Sequence, residues 1–340
     1  MRVKIRQSVA QAGHRSAHPD MPLKNRSLPK PPWLRIRPPS AATPAGKKYL
    51  QIKSLLKAKK LHTVCGEAAC PNAAECWSSG TATFMILGDT CTRACRFCNV
   101  KSGNPRGLID KNEPQKIAEA VKTMKLKHAV LTCVTRDDLE DGGAGHFADC
   151  IRAIKSANPD ILIEVLISDL KGRTAALQKI INAAPAVIGH NIETVKRLQK
   201  QVRDPRANYR KSLTVLRAVK ELSAEKTAAS AIKAAALPGK TATAKPRIFS
   251  KSAIMVGLGE TSAEVIQTMK DLRAADTDLL TIGQYLQPSP YHLPVKKYVT
   301  PAQFKKYETA AKKLGFLHCA SGPFVRSSYR AGELFVNNTH

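Results

Sequence analysis

Residues Thr83–Cys98 read TFMILGDTCTRACRFC, and this stretch decides the fold. Thr83–Leu87 is an unbroken apolar run, too short for a helix and closed by Gly88-Asp89-Thr90. That is the pattern of a strand buried on both faces, as in a parallel sheet. Cys91, Cys95 and Cys98 follow at once with the spacing C-x3-C-x2-C. Soft thiolates at such short intervals bring several sulfurs to one point and suit a soft metal or an iron–sulfur cluster. The number matters. A closed zinc site or an electron-transfer cluster takes four protein ligands, whereas three leave one metal position open for chemistry. A zinc knuckle is the competing reading, and the lack of an evident fourth ligand speaks against it.

Working outward, Val64–Trp77 (VCGEAACPNAAECW) holds a second triplet, Cys65, Cys70 and Cys76, spaced C-x4-C-x5-C. Downstream, apolar runs at Ala129–Val134, Ile161–Ile167, Ala186–Ile188, Ala253–Val256 and Leu279–Ile282 repeat the first strand's pattern. Amphipathic stretches alternate with them: Ile117–Met124, Phe147–Ile154, Leu177–Ile181, Val195–Leu222, Val265–Leu272 and Phe304–Leu314. Six strand–helix units predict an α/β fold, a partial parallel (β/α)6 barrel of the TIM type. N-terminal and C-terminal extensions are expected to cover its mouth. Function in such barrels sits at the carboxyl ends of the strands, and Cys91 opens the first of those loops.

The 340 residues carry a formal charge of +29, and 43% of them are hydrophobic. Residues 1–60 hold fifteen Lys or Arg against the single acid Asp20. A basic balance can serve nucleic acid or an acidic partner. Aromatics are only 5% and do not interleave with the charge, so a base-stacking platform is absent and an acidic protein partner fits better. No apolar run approaches the length of a membrane span. Nine cysteines in a chain of this size, an odd number behind no secretory signal, do not form a disulfide framework, and a reducing compartment follows. The expected location is bacterial cytoplasm. The mitochondrial matrix is the alternative, because residues 1–20 have the charge of a short transit peptide, with Met21 as a second possible start.

The spacing C-x3-C-x2-C with Phe97 before the last cysteine resembles the signature of radical S-adenosylmethionine (SAM) enzymes. The upstream triplet, within Thr63-Val64-Cys65, Ala69-Cys70-Pro71-Asn72 and Glu75-Cys76-Trp77, narrows the resemblance to the lipoyl synthases. Residues 30–35 (KPPWLR), His190-Asn191-Ile192-Glu193, Met255–Glu260, Gln284–Ser289 and Arg326-Ser327-Ser328-Tyr329 are similar to the family's wording. The resemblance covers roughly residues 30–335.

It implies that Cys91, Cys95 and Cys98 ligate a [4Fe–4S] cluster whose fourth iron binds SAM. It also implies that Cys65, Cys70 and Cys76 hold a second, auxiliary [4Fe–4S] cluster with Ser328 as the unusual fourth ligand. That cluster is the sulfur donor, and a hard serine oxygen on iron suits a cluster meant to come apart. The activity implied is insertion of two sulfurs at C6 and C8 of an octanoyl group on a lysine of a lipoyl carrier domain. Such carriers are the acyltransferase subunits of 2-oxoacid dehydrogenases and the glycine cleavage H protein. An electron donor and an iron–sulfur carrier are implied as further partners. The chain is expected to act as a monomer, with neither nucleic acid nor membrane. Without the resemblance, a Ser-Ser pair near a terminus reads as a solvated loop.

The remaining cofactor candidates are Gly142 and Gly143, Asn191 and Glu193, and Gly257 and Gly259. Each has a plainer role open to it: a strand-to-helix turn for Gly142-Gly143, a helix N-cap for Asn191. Gly257-Leu258-Gly259 lacks the Lys-Ser/Thr of a phosphate loop. Cys133, Cys150 and Cys319 read as small buried hydrophobes, and His292 as a loop hydrogen-bonding group.

The expected layout is a basic arm over 1–45, an auxiliary-cluster segment over 46–80, a barrel over 81–320 and a C-terminal segment over 321–340. Residues 223–250, rich in Ala and Lys, have no counterpart in the family and read as a surface insertion. Two rival readings are a biotin-synthase-like sulfur-inserting enzyme and a zinc protein that binds nucleic acid through its basic arm. The first needs a different second cluster, and the second would carry zinc without sulfide.

Overall fold

The computed structural model describes residues 28–35, 43–59, 61–67, 72–235 and 247–328. Cys70, Tyr329, the region of a transit peptide and most of the basic arm lie outside them.

Seven parallel strands run in sequence order across one sheet: β1 (Thr81–Ile86), β2 (His128–Cys133), β3 (Leu162–Leu166), β4 (Val187–Gly189), β5 (Phe249–Val256), β6 (Leu279–Gln284) and β7 (His318–Gly322). Each pairs in parallel with the next, from Thr81 opposite His128 to Gly283 opposite Gly322. A two-residue antiparallel strand, His62–Thr63, covers the outer edge of β1 at Met85 and Phe84. The helices between the strands are α1 (Glu113–Thr123), α2 (Ala144–Ala157), α3 (Thr174–Asn182), α4 (Tyr209–Ala235), α5 (Ser262–Ala274) and α6 (Pro301–Lys313). Strands joined in order through helices make the winding of a TIM-type barrel, and among the described residues β1 and β7 do not pair with each other.

The apolar runs become strands because both their faces are covered. All six residues of β1 are buried, and Phe84, Leu131, Val165, Ile188 and Ile282 are 0% exposed. Helix ends follow ordinary chemistry. Thr261 and Glu264 form a reciprocal capping box at the start of α5, and Thr300 caps α6 ahead of Pro301.

The structure adds one strand to the expected six. β7 reads HCASG, with no apolar run to announce it, because a strand at the edge of the parallel set packs small residues against a neighbouring segment. The Ala/Lys-rich stretch begins as helix: α4 continues to Ala235, and β5 starts at Phe249. From the arm, Leu34 is buried and the Leu28 carbonyl accepts a hydrogen bond of 3.0 Å from Tyr298 Oη, so this part of the arm lies along the loop after β6.

Candidate active site at the barrel mouth

Leu87 and Gly88 leave β1 with positive φ (69° and 91°), and the chain turns sharply into the cysteine loop. Thr90–Cys91 then pairs with Lys101–Ser102, and Gly103 N–H donates to the Cys91 carbonyl at 2.8 Å, which closes the loop on itself.

Four other strand-end loops hold it. Thr92 N–H reaches the Thr135 carbonyl after β2 (2.9 Å), and Arg96 N–H reaches the Val202 carbonyl after β4 (3.0 Å). Ala94 N–H donates to the Asp204 carboxylate (2.9 Å), while Asp204 N–H points at Cys95 Sγ (3.3 Å). After β6, His292 Nε2–H donates to the Cys98 carbonyl (3.0 Å), and its Nδ1 accepts from Ser289 Oγ (2.8 Å). The expected hydrogen-bonding role of His292 is therefore met, and its target is the cysteine loop.

Arg93, inside the first cysteine spacing, is the main electrostatic anchor. Its guanidinium forks onto Asp137 (2.8 and 3.0 Å) and Asp169 (2.9 and 2.7 Å), and it is 6% exposed. Burial opposes its charge, but its hydrogen bonds to the two carboxylates more than reverse this and raise its pKa. The two acids come from the loops after β2 and β3, so one side chain ties three loops together. Removing one partner of a buried ion pair leaves the other charge uncompensated. Arg93→Ala should therefore cost about 3–5 kcal/mol in denaturant unfolding of the metal-free protein. A loss below about 1 kcal/mol, the range of a surface pair, would contradict this anchoring role.

Burial pushes the Cys95 thiol up to about 11 and the Cys98 thiol up to about 12. Repulsion from the other cysteines of the loop and from Glu193 adds to both. Cys95 and Cys98 thus each feel the charge of Cys91 and of Glu193. Such a donor set fits an iron–sulfur cluster, since soft sulfurs crowded under poor solvation are stabilised as thiolates by metal charge. Glu193 sits at the end of β4 with φ 66°, bridged through its backbone to Ile254. Burial raises its pKa, against opposing contributions from Arg203 and from a hydrogen bond of Asn191.

The predicted glycines also have their places. A Cβ on Gly143 would lie 2.3 Å from Leu87 Cδ1, and one on Gly142 would lie 3.3 Å from Leu170 Cδ2. A Cβ on Gly257 would lie 2.2 Å from Gln284 Nε2, and Gly259 faces the Lys296 stem. At Gly143 and Gly257, then, the close approach needing glycine is to another side chain of this protein.

Cys65 and Cys76 of the second triplet lie near the edge of β1 that His62–Thr63 covers. Cys65 is buried and lies two residues after the strand residue Thr63, which pairs with Phe84. Cys76 lies in a short helix, Ala73–Ser78, whose Trp77 stacks on Tyr49 at 4.9 Å. The C-terminal segment returns to this place from across the fold. Asn72 Nδ2 donates to the Phe324 carbonyl (2.7 Å), and Thr83 Oγ1 meets Ser328 Oγ at 2.9 Å. Ser328 and the Cys65 segment, some 250 residues apart in sequence, thus converge on Thr83-Phe84. Gly283 makes the return possible, because a Cβ there would lie 2.1 Å from the Val325 carbonyl oxygen. Gly283→Ala should displace the segment carrying Ser328 and cut sulfur transfer by about a hundred-fold, the cost of roughly an ångström's misplacement. Cleavage of SAM should persist. Equal loss of both activities would contradict this assignment.

The fold and the cysteine loop at its mouth point to a class. Residues 85–272, over half the chain, match the radical SAM superfamily. Methylornithine synthase, a solved structure 13% identical, overlays with a TM-score of 0.50 over 80% of this chain and 77% of its own, which agrees on the fold. The particular family follows from closer relatives. The chain is 46% identical to the lipoyl synthase of Thermus thermophilus over 97% of its length and 93% of the relative's. It is 48% identical to that of Francisella tularensis subsp. novicida (91% and 86%) and 47% identical to that of Sorangium cellulosum (91% and 80%). The chain belongs to the lipoyl synthases. It is a radical SAM enzyme of sulfur insertion that works with SAM and [4Fe–4S] clusters. No helix among the described residues is long and apolar enough to cross a membrane.

Proposed function

We propose that lipoyl synthesis in this chain is divided between the barrel mouth and the outer side of β1. Cys91, Cys95 and Cys98 would hold the SAM-binding cluster. Cys65, Cys70, Cys76 and Ser328 would hold the auxiliary cluster. When bound, these groups supply the radical that removes hydrogen from the unactivated C6 and C8 of an octanoyl chain and the sulfur that takes its place.

Everything else is work for the protein's own side chains. Cys95 and Cys98 are protonated at neutral pH when they stand alone, so loading of iron must release their protons. Arg93, Asp204 and His292 hold the loop against loops after four different strands, which keeps the three sulfurs in register. Glu193, whose charge Cys95 and Cys98 feel, and Asn191, which hydrogen-bonds to it, suit the amino group of SAM. Gly142-Gly143 and Gly257-Leu258-Gly259 stand in the strand-end loops, where Gly143 and Gly257 let Leu87 and Gln284 pack closely. The single observation carrying this division is the return of Ser328 to Thr83, beside the Cys65 segment.

The substrate is an octanoyl-lysine on a lipoyl carrier domain, and the net charge of +29 favours an acidic carrier. Iron and sulfide analysis tests the reading. About eight of each per chain is expected, four for each cluster. About four of each, unchanged when Cys65 is replaced, would remove the auxiliary site.

A further inference from the structure

We infer that Glu113 and Arg136 are positioning residues for the cysteine loop and act through Leu87. The inference rests on reading Cys91, Cys95 and Cys98 as cluster ligands.

Leu87 is the last residue before the loop turns, and its φ of 69° is a conformation that side chains other than Gly, Asn or Asp adopt rarely. Such a residue persists only where its surroundings over-determine it. Both of its backbone groups are gripped by charged side chains. Its N–H donates to Glu113 Oε2 at 2.9 Å, and its carbonyl accepts from Arg136 Nη1 at 3.0 Å. Leu87 is 2% exposed, Glu113 7% and Arg136 0%, so water cannot substitute for either grip. The side chain is fixed as well, because it fills the space that Gly143 leaves open.

Each gripping residue is itself held. His146 Nε2–H donates to the same Glu113 oxygen at 2.6 Å. Arg136 forks onto Asp138 (both bonds 2.8 Å) and donates to the Leu108 carbonyl (2.9 Å). Neither Glu113, at the start of α1, nor His146, on α2, belongs to the cysteine loop. Glu113, His146 and Cys150 bring their O, N and S atoms within 4.8 Å of one another, a grouping that resembles a metal site. Its carboxylate oxygen already accepts two hydrogen bonds, one of them from the residue that aims the loop. The geometry accounts for the trio as the back of this clamp.

Two conservative variants separate the roles. Glu113→Gln keeps an oxygen in place for Leu87 N–H and for His146 but loses the charge. Glu113→Asp keeps the charge and withdraws the oxygen by one methylene. Both are prepared as full chains with clusters loaded and compared with wild type by melting temperature, by metal content and by electron paramagnetic resonance of the reduced protein with and without SAM. Glu113→Gln should keep the wild-type spectrum, its change on adding SAM, and cleavage within about three-fold. Glu113→Asp should lose the SAM-induced spectral change and cleave SAM about a hundred-fold more slowly, the cost of a misplacement near 1 Å. If Glu113→Asp matches wild type, or if Glu113→Gln is the impaired variant, the clamp is wrong. One zinc per chain that disappears in Cys150→Ala would also overturn it, by assigning the trio to a metal. A wild-type protein that shows no SAM-induced change would instead fail the cluster reading.

Discussion

Replacing any one of Cys91, Cys95 or Cys98 with Ala should abolish SAM cleavage, with deoxyadenosine falling to background, more than about a hundred-fold below wild type. Iron should fall from about eight to about four per chain, because the other cluster has its own ligands. The size of the effect follows from ligand count. A [4Fe–4S] cluster has four irons, and three thiolates ligate all but the one open to SAM, so no member of the set is spare. The loop offers no substitute donor: Thr92 Oγ1 is engaged with the Thr135 carbonyl, and Ser102 Oγ with the Arg93 carbonyl. The fold should survive, since the loop's anchors are Arg93, Asp204 and His292 and not the sulfurs. Iron content and deoxyadenosine read together check this. Retained cleavage in any of the three variants would mean that the cluster is held elsewhere.

Ser328→Ala should give the opposite separation. SAM cleavage should stay within about three-fold of wild type, while sulfur insertion falls by about a hundred-fold or more. Ser328 bonds to Thr83 on β1 and not to the mouth loop among the described residues, so its loss should leave the first site intact. At the second site it removes the one oxygen donor of the proposed set. The check is the ratio of deoxyadenosine formed to sulfur inserted, which should climb steeply. Loss of both activities together would place Ser328 in the fold and not in the auxiliary site. Ser328→Cys sharpens the comparison, since a thiolate on iron is a softer and more persistent ligand than a serine oxygen. That variant should hold its iron well and release sulfur poorly.

Much of the site was readable because its chemistry is local in sequence. Each cysteine triplet fits within a dozen residues, and the spacing alone announces soft-metal binding. The apolar runs were readable for a similar reason, since strands buried on both faces need continuous hydrophobicity. What escaped is long-range or conformational. Arg93 pairs with Asp137 and Asp169, residues 44 and 76 positions away, and no local pattern marks a charged side chain that will bridge three loops. Leu87 reads as the end of a strand, which it is, yet its positive φ is imposed by Glu113 and Arg136 and cannot be seen in an apolar letter. Gly143 and Gly257 were read as room for a cofactor. The structure shows that the space each leaves is taken by Leu87 and Gln284, and only the folded packing reveals that. β7 was missed because HCASG carries no hydrophobic period.

The central claim is that one chain both opens SAM and moves sulfur onto an octanoyl chain. It is tested most directly by a single anaerobic turnover. Protein with both clusters loaded is mixed with SAM, a reductant and an octanoyl-lysine peptide, and the products are read by mass. The account predicts a peptide that has gained two sulfurs, together with deoxyadenosine. Deoxyadenosine without sulfur on the peptide, from protein shown to hold both clusters, would contradict it.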